Sequence, residues 1–398
     1  MSPPSPSPPP PNVTWTEFDA PVTARWRSEA GLPPPPRVRV ADERITLDEG
    51  YKAICEGAAL LWRGDYHRAK DFVQALARRI DQRGGRGRPG VPARPQAPAP
   101  DADLTAAFHR NRQAQGARTR LLAMVLLPFE PGHRLALRRA PDVSTACTEA
   151  FGPSDEPAVM PLRDLLGAIG AHEWRKAGVE VPALGARIHA HYGVFSPVRG
   201  EYLDLVSRAP LPAALAGGAP AVDVGTGTGV IAAVLARRGV QRIIATDNSP
   251  RALACARDNV ARLGLADRVE VQEADLWPDA VAALVVCNPP WLPGRAVTTL
   301  EQAVYDPDSR MLRGFLAGLA AHLTPGGEGW LVLSDLAEHL GLRPRAQLEA
   351  WIAEGGLAVR GRLDTRPKHG RAFDTADPLH AARSAEVTSL WRLARADA

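Results

Sequence analysis

Two runs in this 398-residue sequence combine residue types and spacings that could do chemistry. The first is Asn288-Pro289-Pro290-Trp291, which follows the apolar run Val285-Val286-Cys287. Two adjacent prolines fix the backbone direction and remove two N–H donors, so they stop a strand and leave carbonyls able to face a ligand. The amide oxygen of Asn288 is a further acceptor. A planar –NH2 group would donate one hydrogen to the Asn288 side chain and the other to the Pro289 carbonyl. The nitrogen of an amide or aromatic amine is a poor nucleophile, because its lone pair is delocalised. Two acceptors on its hydrogens favour charge building on nitrogen as an electrophile arrives in line. No strong base is needed beforehand, since the nitrogen becomes acidic once alkylated, and the motif contains none.

The second run is Asp223-Val224-Gly225-Thr226-Gly227-Thr228-Gly229-Val230, placed between a strand-like and a helical pattern. Glycines at alternate positions let the backbone turn tightly and approach a ligand without Cβ obstruction. A dinucleotide fingerprint would need its third glycine at position 230, which is Val230, so a nicotinamide site is disfavoured. A glycine-rich turn alone is a weak signal. Its context strengthens it. Asp247 ends the next strand, 24 residues after Asp223, where a carboxylate can accept both ribose hydroxyls. Asp275, after the third strand in Glu273-Ala274-Asp275-Leu276, is placed to accept from an exocyclic adenine amine. Carboxylates ending three successive strands share the edge at which open α/β sheets bind ligands.

Together these residues resemble the class I S-adenosylmethionine (SAM) methyltransferases. The resemblance implies SAM as cofactor, with Asp223 and the backbone of Gly225–Gly229 on its methionine end, Asp247 on the ribose and Asp275 on the adenine. The implied cofactor-side set is Asp223, Gly225, Thr226, Gly227, Gly229, Asp247, Asn248, Asp275, Leu276 and Asn288. The implied transfer set is Asn288, Pro289, Pro290 and Trp291, with Trp291 stacked on a flat substrate and its π face toward the sulfonium.

Asn-Pro-Pro-Trp also resembles the (Asn/Asp)-Pro-Pro-aromatic motif of amino-group N-methyltransferases. These comprise adenine and guanine methylases of nucleic acids and the protein-glutamine N5 methyltransferases of HemK type. Two segments strengthen the likeness to the glutamine branch: Tyr192–Glu201 ahead of the sheet, and Tyr305-Asp306-Pro307-Asp308-Ser309 before a helix. Three departures stand against it. The Pro-Arg-Pro-Glu-Thr segment of that branch is absent, tryptophan replaces its usual tyrosine, and the N-terminal part is longer. The resemblance implies methyl transfer to a glutamine amide of a protein, in the translation machinery. An exocyclic amine of adenine or guanine in RNA or DNA is the alternative acceptor. A non-catalytic SAM-binding regulator is a third reading, against which the acceptor motif argues.

The elements that must hold these residues are legible as strand–helix alternation from residue 220, the signature of a parallel sheet with covering helices. Expected strands are Ala221–Val224, Arg242–Thr246, Val269–Glu273, Ala283–Cys287, Trp330–Leu333 and Val387–Arg392; helical spacing covers 229–238, 250–263 and 309–323. The expected fold is α/β, a doubly wound seven-stranded mostly parallel sheet over 186–398, Rossmann-like, preceded by a mostly helical accessory domain over 45–185. Helices are expected over 45–81, broken at Gly64-Asp65, and over 104–120 and 161–177. A strand pair, Met124–Leu127 with Leu135–Leu137, should flank a turn at 130–133. A flexible linker is expected at 82–103, and a disordered arm over 1–44.

Composition narrows the class. Twelve of the 38 prolines precede position 37. All but four of the 48 basic residues are arginine, and residues 61–120 carry thirteen Arg or Lys against five Asp or Glu in a chain of net charge +4. That local excess suits a nucleic-acid or ribosomal partner; the preference for arginine over lysine reflects genome composition or function. No apolar run approaches the ~18 residues of a membrane span. Nor does the N-terminus show a secretory signal, so a soluble cytoplasmic protein is expected. Four scattered cysteines form no CxxC pair, and His189 with His191 has no third ligand at suitable spacing, so no metal is expected. The loop 292–306 is a lid or an ordinary connection. Arg366, Lys368 and Arg371 make a basic loop that could guide a phosphate-bearing substrate or be simply solvated.

Overall fold

In the structure, a computed structural model describing residues 11–84, 103–198, 200–367, 374–375 and 377–396, Val13 and Trp15 are buried while Asn12, Thr14 and Thr16 are exposed. This period of two pairs β1 (Asn12–Glu17) with β2 (Ala20–Trp26) as an antiparallel hairpin. The expected disordered arm over 1–44 is thereby corrected from residue 11 onward, since β3 (Arg37–Ala41) is a strand as well, while residues 1–10 lie outside the described residues. Alternating apolar side chains decide the conformation there, and Pro21 sits in the first turn of pairing, where a missing N–H is tolerated.

Next come α1 (Leu47–Cys55), closed by a capping box between Thr46 and Glu49, β4 (Ala58–Trp62) and α2 (Tyr66–Gly84). β4 corrects the helical reading of 45–81: a five-residue apolar run has no periodicity to separate a buried strand from a helix. The expected linker 82–103 begins inside α2, and its part from 85 to 102 lies outside the described residues. α3 (Leu104–Leu122), β5 (Val125–Phe129), α4 (Ser144–Phe151), β6 (Ala158–Pro161) and α5 (Leu162–Ala177) complete this half. β5 pairs with β4 and β6; Leu135–Leu137 is no strand, and the expected hairpin around 130–133 is a short 3-10 turn. Helices do cover most of the described residues over 45–185, as expected, but the sheet they pack on was not. The centre of this half is a mixed six-stranded sheet in the order β1-β2-β6-β5-β4-β3, with a core around Leu60, Trp62, Leu76, Leu127 and Met160 on one face.

Beyond it lie the short pair β7 (Val179–Val181) and β8 (Ala186–Ile188), α6 (Glu201–Arg208), β9 (Ala221–Val224), α7 (Val230–Arg237), β10 (Ile243–Asp247), α8 (Pro250–Arg262), β11 (Val269–Glu273) and β12 (Ala282–Cys287). α9 (Arg310–His322), β13 (Leu323–Ser334), α10 (Leu336–His339), α11 (Arg345–Glu354), β14 (Leu357–Thr365), α12 (His380–Ala385) and β15 (Thr388–Arg395) follow. Seven strands form one sheet in the order β11-β10-β9-β12-β13-β15-β14, parallel except for β15, which runs antiparallel to both neighbours. This is the doubly wound, seven-stranded, mostly parallel fold expected. Every residue of β9 and β12 is buried, as befits central strands covered on both faces. The winding reverses between β9 and β12, and the Val286↔Asp223 and Cys287↔Val224 pairs bring the two motifs to one edge.

The chain divides into two compact units, Met1–Arg94 with Asn111–His172 and Pro95–Arg110 with Glu173–Ala398. The division near 185 expected from sequence thus falls at 172, and the second unit includes a segment of α3. Among the described residues no helix is long and apolar enough to cross a membrane.

Candidate functional site

Three glycines hold left-handed backbone at the β9–α7 turn: Gly225 (φ 69°), Gly227 (φ 56°) and Gly229 (φ 79°). A side chain there would be strained, and a Cβ on Gly229 would come within 3.3 Å of Ala256 Cα. Around position 227 a Cβ would meet nothing within 4 Å, so the turn presents bare backbone on an open side. Asp223 is buried beneath it. Its Oδ2 accepts from Thr226 Oγ1 at 2.6 Å and from the Ala232 amide at 3.1 Å, while its Oδ1 has no hydrogen-bond partner among the described residues. Burial is the main cause that pushes its carboxyl up to about 6, and the charge of Asp247 adds to it. An uncommitted buried carboxylate oxygen under a backbone cradle fits a cationic amine, the group at the methionine end of SAM.

Asp247 ends β10 and accepts from the Gly227 amide at 3.0 Å and the Ser249 amide at 2.9 Å. These bonds fix both oxygens and leave each with a further lone pair. Burial raises its carboxyl above the usual range. Asp275 is exposed; it pairs with Arg310 Nη2 at 3.4 Å and lies 3.5 Å from Asn248 Nδ2. The adjoining Leu276 has φ 75°, uncommon for a residue with a side chain, and its carbonyl accepts from the buried Thr246 Oγ1 at 2.9 Å. The turn after β11 is thus tied to the end of β10.

Across the switch point, Asn288 leaves β12 directly. Trp291 Nε1 donates to Asn288 Oδ1 at 2.9 Å, a contact the sequence did not announce. It fixes which way the amide points and leaves Oδ1 a second lone pair. The Trp291 ring is half-buried and packs against the cores on both faces of the sheet. Pro289 is buried and Pro290 half-buried.

Sequence reasoning missed the contribution of α9. The Met311 side chain lies against the first motif glycine, with its Cε 2.5 Å from where a Gly225 Cβ would stand. Asp306, buried, accepts from the Met311 amide at 2.9 Å and the Leu312 amide at 3.3 Å, capping the helix. Asp308 and Ser309 between them are both left-handed, at φ 55° and 52°, and Ser309 Oγ receives a 3.4 Å bond from the buried Arg343. The 305–309 segment was singled out by resemblance alone; no local spacing reveals that its helix reaches Gly225. His189 and His191 lie elsewhere, bonded to the Arg175 carbonyl and to Asp258. Arg366 is exposed, and Lys368 with Arg371 lies outside the described residues.

Residues 185–349 match the family model of the methyltransferase small domain. The chain is 39% identical over 154 residues to the release factor glutamine methyltransferase of Cereibacter sphaeroides, which covers 37% of this chain and 51% of that protein. It is 37% identical over 170 residues to that of Caulobacter vibrioides (40% and 58%), and 31% identical over 156 residues to the ribosomal protein L11 methyltransferase of Sorangium cellulosum (39% and 40%). The chain spans about half the length of the curated relatives it matches. Among solved structures, a methyltransferase from Pyrococcus furiosus aligns at 18% identity and TM-score 0.38, covering 56% of this chain and 96% of its own.

Proposed function

We propose, from the premise that residues 185–349 form a class I methyltransferase domain with SAM as its cofactor, that this chain methylates a planar –NH2 nitrogen, namely the side-chain amide of a glutamine in a protein. The observation that carries this reading is the 2.9 Å bond from Trp291 Nε1 to Asn288 Oδ1, one residue beyond the strand that pairs with β9. When bound, SAM supplies a methyl group on a cationic sulfonium. Asp223, with its spare oxygen, would hold the amine of the cofactor, and Asp247 the ribose hydroxyls. Thr226, by bonding Asp223, and Asn248 beside Asp275 line the same edge, and Leu276 follows Asp275 with its side chain against Gly314 of α9.

On the acceptor side, Asn288 Oδ1 takes one amide hydrogen through its remaining lone pair and the Pro289 carbonyl takes the other. Trp291 holds the Asn288 amide in the orientation that presents oxygen rather than NH2. Pro290 keeps the backbone from turning back into the sheet. The two accepted hydrogens raise electron density on a nitrogen that resonance otherwise deactivates. One of them leaves the nitrogen after alkylation, when it has become acidic, so no base with a perturbed pKa is required beside Asn288.

A protein acceptor is favoured over a nucleic acid by the likeness to glutamine methyltransferases. The arginine excess of 61–120 also counts for less than its number: Arg63, Arg79 and Arg118 pair with Glu17, Asp48 and Asp81. The test uses radiolabelled SAM and cell extract, with Asn288→Ala as the blank. Label should enter protein with the natural chain, resist nuclease, yield N5-methylglutamine on digestion, and fall below about a tenth in the variant. Label removed only by nuclease would overturn the acceptor assignment.

A further inference from the structure

The stretch that leaves the acceptor motif is tied off at its neck. Leu292 N donates to the Val304 carbonyl at 3.1 Å, Asp306 N donates to the Leu292 carbonyl at 2.9 Å, and Leu292 bridges Tyr305 in parallel fashion. Residues 293–303 are therefore a loop whose ends are pinned one residue after Trp291. The Tyr305 ring lies on the loop's own backbone, with its Cδ1 3.2 Å from the position a Gly294 Cβ would take. Whatever sets Tyr305 therefore sets both the start of the loop and the residue next to Trp291.

What sets it comes from outside the doubly wound fold. The first turns of α3 pack on this neck. Phe108, 4% exposed, lies 6.4 Å from the Tyr305 ring, centroid to centroid, at a tilt of 47°. Leu104, Ala107 and Phe108 share one apolar cluster with Leu292, Val304 and Tyr305. The contact is anchored rather than casual: Thr105 Oγ1 donates to the Leu340 carbonyl at 2.7 Å, beside Gly341, whose φ of 67° admits that approach. A ring pair of this separation contributes attraction beyond its buried area, and removing one partner leaves a cavity that the other can fall into.

We infer that Phe108 is a positioning residue for methyl transfer, acting through Tyr305 and Leu292 to fix the loop that leaves the acceptor motif after Trp291. It touches neither cofactor nor acceptor. The neck adjoins Trp291 directly, whereas it reaches the cofactor cradle only at one remove, through Asp306, which caps the helix whose Met311 lies against Gly225, so the segment Leu104–Arg110 governs the acceptor side first. This inference rests on the acceptor reading above for its catalytic consequence, whereas its structural consequence stands without it.

The test uses the full chain with Phe108→Ala and the milder Phe108→Leu, which keeps most of the apolar volume should the alanine variant fail to fold. Three quantities are read: hydrogen exchange of peptides covering 292–306, SAM affinity by calorimetry, and the rate of label transfer into extract protein. In Phe108→Ala, exchange over 292–306 should rise about fivefold or more while β9 and β12 stay protected. SAM affinity should remain within about twofold, and transfer should fall about tenfold. Phe108→Leu should recover most of both losses. Unchanged exchange at 292–306 overturns the inference, as does loosening that spreads equally to β9 and β12 or a matching loss of SAM affinity. Should the natural chain transfer no label at all, the acceptor reading fails, and the exchange result still decides this one.

Discussion

Asp223 is a residue of the candidate site whose chemistry the fold alters. Burial without a compensating partner on Oδ1 pushes its carboxyl to about 6, above its ordinary value. The native state thus holds a proton that the unfolded chain releases at lower pH. Its contribution to stability is present below the unfolded value and lost as pH rises through about 6. A cationic amine on Oδ1 reverses the preference, because an opposite charge favours the ionised form. Cofactor binding should then expel the proton. Below pH 6 the SAM dissociation constant should rise about tenfold per pH unit, and above pH 7 it should be level. Calorimetry in buffers of different ionisation enthalpy would record the released proton. Asp223→Asn should flatten the profile, weaken SAM throughout, and stabilise the cofactor-free protein above pH 6. A profile that stays steep in the asparagine variant would assign the titration to another group.

At the scale of elements, α9 connects the two halves of the site. Met311 meets Gly225, and one and two turns further on Gly314 and Gly318 let the β11 turn come close. A Cβ at Gly318 would stand 2.4 Å from Trp277 Nε1, and that indole is stacked on His322 at 4.2 Å and on Phe315 at 5.7 Å. Alanine at a helical glycine normally gains up to ~1 kcal/mol. Displacing a packed indole costs about 1–3 kcal/mol, so the steric loss should win at Gly318. At Gly170 of α5, where a Cβ meets nothing within 4 Å, the gain should stand alone. Thermal unfolding should therefore show Gly318→Ala lowered by several degrees with weaker SAM binding, and Gly170→Ala raised or unchanged. Equal stability in the two variants would mean that Trp277 is not clamped by α9. The strands of this half were legible to within a residue or two at β9, β10, β11 and β12: the inner three are largely apolar runs between turns, and the edge strand β11 alternates as Val-Glu-Val-Gln-Glu. The role of α9 was not. Met311 and Gly225 are 86 positions apart, and local periodicity carries no information about such a meeting.

For the molecule as a whole, the sequence was most readable where chemistry restricts it. Asp223, the glycine turn and Asn288-Pro289-Pro290 stand out in the sequence by residue type, spacing and strand context, and the sheet order puts them on one edge. The first unit was misread because its signals are ordinary. Ala58–Trp62 lacks periodicity, and the hairpin of Val13, Trp15, Ala24 and Trp26 stands among prolines that suggest a tail. Each unit nonetheless buries a core of its own, Trp62, Leu76 and Leu127 in the first and Val222, Phe315, Leu331 and Trp330 in the second. Every residue assigned to the cofactor lies in the second. A ligand stabilises only the cooperative unit whose native state binds it, by RT ln(1 + [L]/Kd), or about 2.7 kcal/mol at a hundredfold excess over Kd. Differential scanning calorimetry of the full chain should accordingly show two transitions. Saturating SAM should raise the one belonging to Glu173–Ala398, by roughly 5–10 °C for a unit of this size, and leave the other in place. The assignment can be made independently with Asp247→Ala, which should abolish the shift without moving the first transition. A single transition that shifts as one would show that the two cores melt as one cooperative body, and the accessory sheet would then share in the energetics of cofactor binding.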